Sequence, residues 1–181
     1  MHDETGKLSA ALLTEPEAGR IIDRLKQLQA AVDPGSKPAA GAIRMDGPYA
    51  AKLRALWIAG FNLGVVHDRT DRALCAFIER QTGISHPRFL REPADAAKAV
   101  EGIKAWLARE AGVRWGRETS DPVELKRAIV FAQHERLRAL GADIGPARIW
   151  HCGAAQLDQV ANARGRQLRA ALARQAKEAV R

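Results

Sequence analysis

Five histidines, two cysteines and a run of cations near the end of the chain are the residues on which chemistry could rest. The histidines are His2, His67, His86, His134 and His151, and none stands four residues from another histidine or from a cysteine. His151 and Cys152 are adjacent, and neighbours on a regular helix diverge by about 100°, so they cannot share one metal. A surface or capping role is the expectation for each histidine. Cys75 falls beside the apolar residues Leu74, Phe77 and Ile78 and reads as a small buried hydrophobe. Two cysteines far apart in sequence make no disulfide framework and no Cys-x-x-Cys pair. The glycines of Gly141-Ala-Asp-Ile-Gly-Pro are not followed by Gly-Lys-Ser/Thr, so they make no phosphate loop. Glu79, Asp95 and Glu101 read as acids on helix surfaces without a second carboxylate to work with. These residues predict no catalytic group, no metal site, no cofactor and no small-molecule substrate.

The cations offer more. From Arg164 to Arg181 the chain carries Arg164, Arg166, Arg169, Arg174, Lys177 and Arg181 against the single acid Glu178. A helix bearing them could lie along a phosphate backbone, where each neutralised phosphate releases counterion. It could equally be the solvated face of a packed helix. Lys52 and Arg54 flank another apolar helix face. The candidate nucleic-acid-binding residues are therefore Lys52, Arg54, Arg164, Arg166, Arg169, Arg174 and Lys177. A net charge of +8 on 181 residues points the same way, towards acidic partners. Trp115 and Trp150 are either edges of the core or anchors for a partner.

These side chains need helices to hold them. Hydrophobic residues make up 46% of the chain but aromatic residues only 5%, a balance that favours helix over sheet. No alternating pattern long enough for a strand occurs, and the fold class expected is all-α, with about six helices. The first helix follows Thr14, where Thr14 and Glu17 fit a capping box, and carries Ile21, Ile22, Leu25 and Leu28 as a stripe. Asp33-Pro34-Gly35 stops it. The second takes Pro48 into its first turn with Asp46 or Gly47 before it, buries Leu53, Leu56, Trp57 and Gly60, and ends at Gly64. The third spans Asp71–Gln81, capped by Thr70 or Asp68 and ended by Gly83. Glu92–Arg109 is the fourth, with Ala96, Val100, Ile103 and Leu107 inward and Gly112 closing it. The fifth starts at a second capping box, Asp121 with Glu124, and runs to Leu140 with Ile129, Val130, Leu137 and Leu140 inward. The last covers about 155–180, with Leu157, Val160, Leu168, Leu172 and Ala176 on one side. The helices around Trp57 and Phe77 could form a helix-turn-helix, but their connector is not diagnostic.

The start of the chain echoes its middle. Thr5-Gly6, Leu13 and Glu15-Pro16 repeat the spacing of Thr82-Gly83, Leu90 and Glu92-Pro93, and one inserted residue then aligns Lys26 with Lys104. Residues 1–32 thus read as a partial first repeat, 33–47 as a linker, 48–112 as a helical core and 113–181 as a basic helical extension. The acidic, short-apolar N-terminus is unlike a signal peptide, and no segment is apolar enough to span a membrane. A cytoplasmic protein with no membrane partner is expected.

The segment Lys52-Leu-Arg-Ala-Leu-Trp57, followed by Leu63-Gly64, by Ala73-Leu74, Phe77-Ile78 and Arg80-Gln-Thr-Gly83, and by a Glu-Pro helix with Lys104-Ala-Trp106, resembles the GemA family of Mu-like phage and prophage proteins. The resemblance covers about residues 5–110, and the echo is similar to that family's two-part layout. The first part's opening helices have no counterpart here. The resemblance implies a non-enzymatic regulator that modulates host gene expression through DNA or a DNA-topology enzyme, gyrase being the route proposed for the family. It implies a bacterial host cell as the setting and transfers no catalytic motif. The alternative from another class is a protein–protein adaptor or homo-oligomerising helical module that makes no nucleic-acid contact.

Overall fold

In a computed structural model the chain divides into two compact units, Met1–Ala42 and Ile43–Arg181. The structure describes residue 14 and residues 45–116, 121–142, 144–145 and 149–179. The helix expected to follow Thr14, the echo it carries and the 33–44 part of the expected linker fall outside the described residues.

Within the second unit the described residues form five α-helices and no strands: α1 (Ala50–Asn62), α2 (Asp71–Thr82), α3 (Pro93–Ala111), α4 (Pro122–Ala139) and α5 (Ala154–Glu178). A 3₁₀ turn, Pro87–Phe89, joins α2 to α3. The all-α expectation therefore holds. Capping chemistry sets the boundaries. Thr70 Oγ1 accepts from the Ala73 amide at 3.3 Å to start α2, and Asp121 accepts from Val123 N at 2.8 Å to start α4. Gly83 and Gly112 end α2 and α3 in the left-handed region, at φ +74° and +67°, where a side chain would strain the backbone.

The core packs α1, α2 and α3 around Leu53, Leu63, Leu74, Ile78, Ile103 and Leu107, all fully buried. Trp57, Phe77 and Trp106 cluster at its edge with ring centroids 5.5–6.0 Å apart, Phe77 stacked on Trp106 and Trp57 tilted against both, and the Trp57 indole donates to Asp68 O at 3.0 Å. Helix α4 contributes Ile129 and Ala132 to this core, while its Val130 joins Ile149 and Leu157 in a smaller cluster against α5. Helix α4 is thus covered on two sides, and its buried arc widens to include Gln133 and His134. That is why His134 is only 4% exposed, where a surface or capping role was expected of every histidine. His86 does cap: its Nδ1 accepts from Arg88 N at 3.2 Å at the head of the 3₁₀ turn. Two smaller expectations also give way. Glu124 pairs with Arg127 one turn on in the same helix, and no bond back to the Asp121 amide completes a capping box. Ala176 is exposed, because only Leu157, Gly165 and Leu168 of α5 are fully covered.

Candidate nucleic-acid interface

The arginines are organised by the C-terminus of α1. A helix end leaves its last carbonyls without partners. At α1 the turn at Gly64, φ +72°, meets two of them: Val65 N donates to Gly60 O and Gly64 N to Phe61 O, each at 3.0 Å. The remainder are met from α4 and α5. Gln133 Nε2 donates to Asn62 O at 3.1 Å and to Ala161 O at 2.9 Å, and Arg136 Nη1 donates to Leu63 O at 2.7 Å. Arg169 Nη1 reaches Asn62 Oδ1 at 2.9 Å and Phe61 O at 3.4 Å. Asn62 Nδ2 donates to Asn162 Oδ1 at 3.0 Å. The cations lie at the negative end of the helix dipole, where they are favoured. Gly165 lets α5 approach this closely: a Cβ there would stand 2.7 Å from Asn62 Oδ1.

Each candidate cation now has a place. Lys52 and Arg54 lie near the start of α1, roughly 10 Å or more along its axis from Phe61. Lys52 is exposed, and Arg54 Nε is 3.3 Å from Asp71, tying α1 to α2. Arg164 is half-buried, with Nη1 3.5 Å from Val130 O, and burial lowers its pKa. Arg166, Arg174 and Lys177 are exposed on α5. The seven do not gather in one patch.

A tighter group does form, and it includes a residue that periodicity passed over. The Arg69 guanidinium lies over the Phe61 ring, 5.7 Å from its centroid, and the Arg169 guanidinium lies over the same ring at 4.2 Å. Burial lowers the Arg169 pKa first, and then Arg69 and Arg166, both positive, lower it further. Among the described residues, none of these three arginines forms an ion pair with a carboxylate. Asp68, next to Arg69 in sequence, turns its carboxylate to the Thr70 amide at 2.9 Å. Arg69 sits in the α1–α2 connector, outside any amphipathic helix, so no spacing rule singles it out.

Nothing else among the described residues gathers chemistry. No group of three His, Cys, Asp or Glu side chains could hold a metal ion. An open cavity of about 310 Å³ beside Trp57, Val66, His67, Arg80 and Trp106 is lined mainly by apolar side chains. Burial first, then Asp71 and Glu79, push the Cys75 thiol pKa up and keep it neutral.

The class defined by this geometry is a basic, all-helical protein whose concentrated chemistry is cationic. A family model described as "Bacteriophage Mu, GemA protein" matches residues 1–109, and the chain belongs to that family. It is thus a Mu-like phage protein, as the Lys52–Trp106 residues imply. No curated protein and no solved structure matches it. The matched segment ends in the last turn of α3, so Phe61 and Arg69 lie within it, while Arg166 and Arg169 lie beyond.

Proposed function

We propose that this protein is a non-enzymatic regulator of a Mu-like phage or prophage. It acts in the bacterial cytoplasm and modulates host gene expression through contact with DNA or with a DNA-topology enzyme. Family membership supplies the setting. The observation that carries the contact with a polyanion is the group of arginines at the α1–α5 crossing, which no carboxylate of the described residues neutralises.

Gel-shift titration of the intact chain tests the DNA half. Affinity for duplex DNA should fall steeply between about 50 and about 200 mM salt, because several phosphate contacts release counterions together. No shift at the lower salt removes direct DNA contact. Supercoiling by gyrase, measured with and without the chain, would then test the enzyme route.

A second reading, an adaptor or homo-oligomer, draws on Trp150, which is 65% exposed while Arg127 donates to its carbonyl oxygen at 3.0 Å. An exposed tryptophan is a common interface anchor. Light scattering across a concentration series separates the two, since a strict monomer argues against self-association.

A further inference from the structure

We propose that Arg69 and Arg169, both over the Phe61 ring, together with Arg166, one turn before Arg169 on α5, form the site that grips the phosphate backbone of a nucleic acid. The inference rests on the reading of a polyanion-binding regulator and names the part of the molecule that does the binding.

Two features prepare these guanidiniums for an anion. The first is how they are held. A ring beneath a guanidinium engages its face and leaves the N–H groups at its edge directed outward. Arg69 and Arg169 both lie over Phe61 in this way. The bonds from Arg169 to the protein run through Nη1 alone, to Asn62 Oδ1 and Phe61 O. Its other donors, and those of Arg69 and Arg166, have no acceptor among the described residues. The second is their company. Arg169 senses Arg69 and Arg166, and both oppose its charge. Like charges held close repel, and a bound phosphate would relieve that repulsion while accepting charge-assisted hydrogen bonds.

The surroundings favour a nucleic acid over an acidic protein. Along α5 from Arg166 the exposed residues are Gln167, Ala170, Ala173, Arg174, Gln175, Ala176 and Lys177, with no acid before Glu178. Arg166, Arg169, Arg174 and Lys177 fall within roughly 140° of the helix circumference and span about 16 Å of its axis. Such a line of cations separated by small neutral side chains suits a regularly charged polymer. A protein partner would be expected to find aromatic or aliphatic anchors. Among the described residues the exposed large hydrophobic ones are Phe89, Phe131 and Trp150, and none is on α5.

The test is fluorescence anisotropy of the full chain with short labelled duplex DNA, single-stranded DNA and duplex RNA, and with polyglutamate as the acidic-polypeptide arm. Arg69 and Arg166 are exposed, so the double variant Arg69→Gln/Arg166→Gln should keep the wild-type unfolding midpoint. It should bind duplex DNA at least about tenfold more weakly, and its log–log salt slope should be shallower by about two. Should that variant fold poorly, Arg69→Lys/Arg166→Lys restores the charges and should restore the slope. Phe61→Leu keeps apolar volume but removes the ring, and should weaken binding while leaving the slope near wild type. Comparison of the DNA and RNA arms shows which backbone is preferred. Wild-type DNA binding that the double glutamine variant leaves unchanged overturns this site while sparing the wider DNA reading. Absence of wild-type binding to every nucleic acid overturns both, and binding to polyglutamate alone assigns the cluster to an acidic protein and overturns the proposal.

Discussion

Gly165 is the point at which α5 lies against α1, and its missing Cβ is a packing requirement. A methyl there would meet Asn62 at 2.7 Å from Oδ1 and 2.9 Å from Cβ. Asn62 cannot readily yield, because it accepts from Arg169 and donates to Asn162. Gly165→Ala should therefore cost about 1–3 kcal/mol by overpacking, despite the better helix propensity of alanine. Gly102→Ala is the control, since its Cβ would meet only the end of the exposed Gln81 side chain, 3.0 Å from Oε1. It should be neutral or mildly stabilising, and urea midpoints of the two variants should separate. His134 makes a second claim at this scale. Its Nδ1 is buried without a partner, and burial, then Arg164, pull its pKa below the ordinary 6.5, with Arg138 adding to the effect and Glu135 opposing it. Above 6.5 the imidazole is neutral both folded and unfolded, so its contribution is fully present. As pH falls through 6.5 the unfolded chain takes the proton first, and stability drops until the lower folded pKa is passed. Urea midpoints recorded from about pH 7.5 to about pH 5.5 should fall in wild type and fall less in His134→Gln. Equal slopes in the two proteins would rule His134 out as the sensor.

At the scale of helices, the boundaries were the legible part. Thr70, Asp121, Gly64, Gly83 and Gly112 mark starts and stops because each solves a local backbone problem, and a local problem leaves a local signature. The apolar stripes through Leu53 and Trp57, Leu74 and Ile78, and Ile103 and Leu107 were legible for the same reason. How α4 and α5 finish α1 was not. Gln133, Arg136 and Arg169 satisfy carbonyls 71, 73 and 108 residues away, and nothing in their own helices announces it. Periodicity marks which arc of α5 is apolar, but it does not say that Arg164 and Arg169, at the edge of that arc, turn inward while Arg166 stays out. The gathering of Arg69 with Arg166 and Arg169 was hidden likewise, since the α1–α2 connector has no period. Gln133 offers the sharpest check on this junction. It is fully buried, and its Oε1 lacks a partner while its Nε2 serves two carbonyls. Gln133→Ala strands the Asn62 carbonyl at the end of α1 and opens a cavity, for a loss of about 2–4 kcal/mol, while Ala161 O keeps its place in the α5 ladder. Gln133→Leu also strands the Asn62 carbonyl but keeps the volume and removes the orphaned oxygen, so it should lose less. Denaturation curves that rank leucine below alanine would contradict this account of the junction.

At the scale of the molecule, the family match and the fold divide the chain differently. The match stops at residue 109, within α3, yet the second compact unit continues through Arg181. Ile149, Leu157 and Leu168 are at most 2% exposed, and their burial is worth roughly 5–9 kcal/mol together at about 1.5–3 kcal/mol each. That is comparable with the whole stability of an ordinary domain, about 5–15 kcal/mol. Removing residues 142–181 would also strip Ala161, Asn162 and Arg169 from the polar junction at Asn62, breaking the hydrogen bonds that tie α5 to α1 and α4. A chain ending at Gly141 should therefore lose most of its stability, seen as a broad, weakly cooperative thermal transition in place of a sharp one. The same truncation takes Arg166 and Arg169 with it, so DNA affinity alone could not tell a lost site from a lost fold. The pair Leu157→Ala and Arg166→Gln separates them. The first should lower the unfolding midpoint through a cavity worth about 2–5 kcal/mol and leave binding near wild type below that midpoint. The second should weaken binding and leave the midpoint where it was. A truncated chain that unfolds cooperatively at the wild-type midpoint would mean that α1–α3 stand alone and that α5 only decorates them.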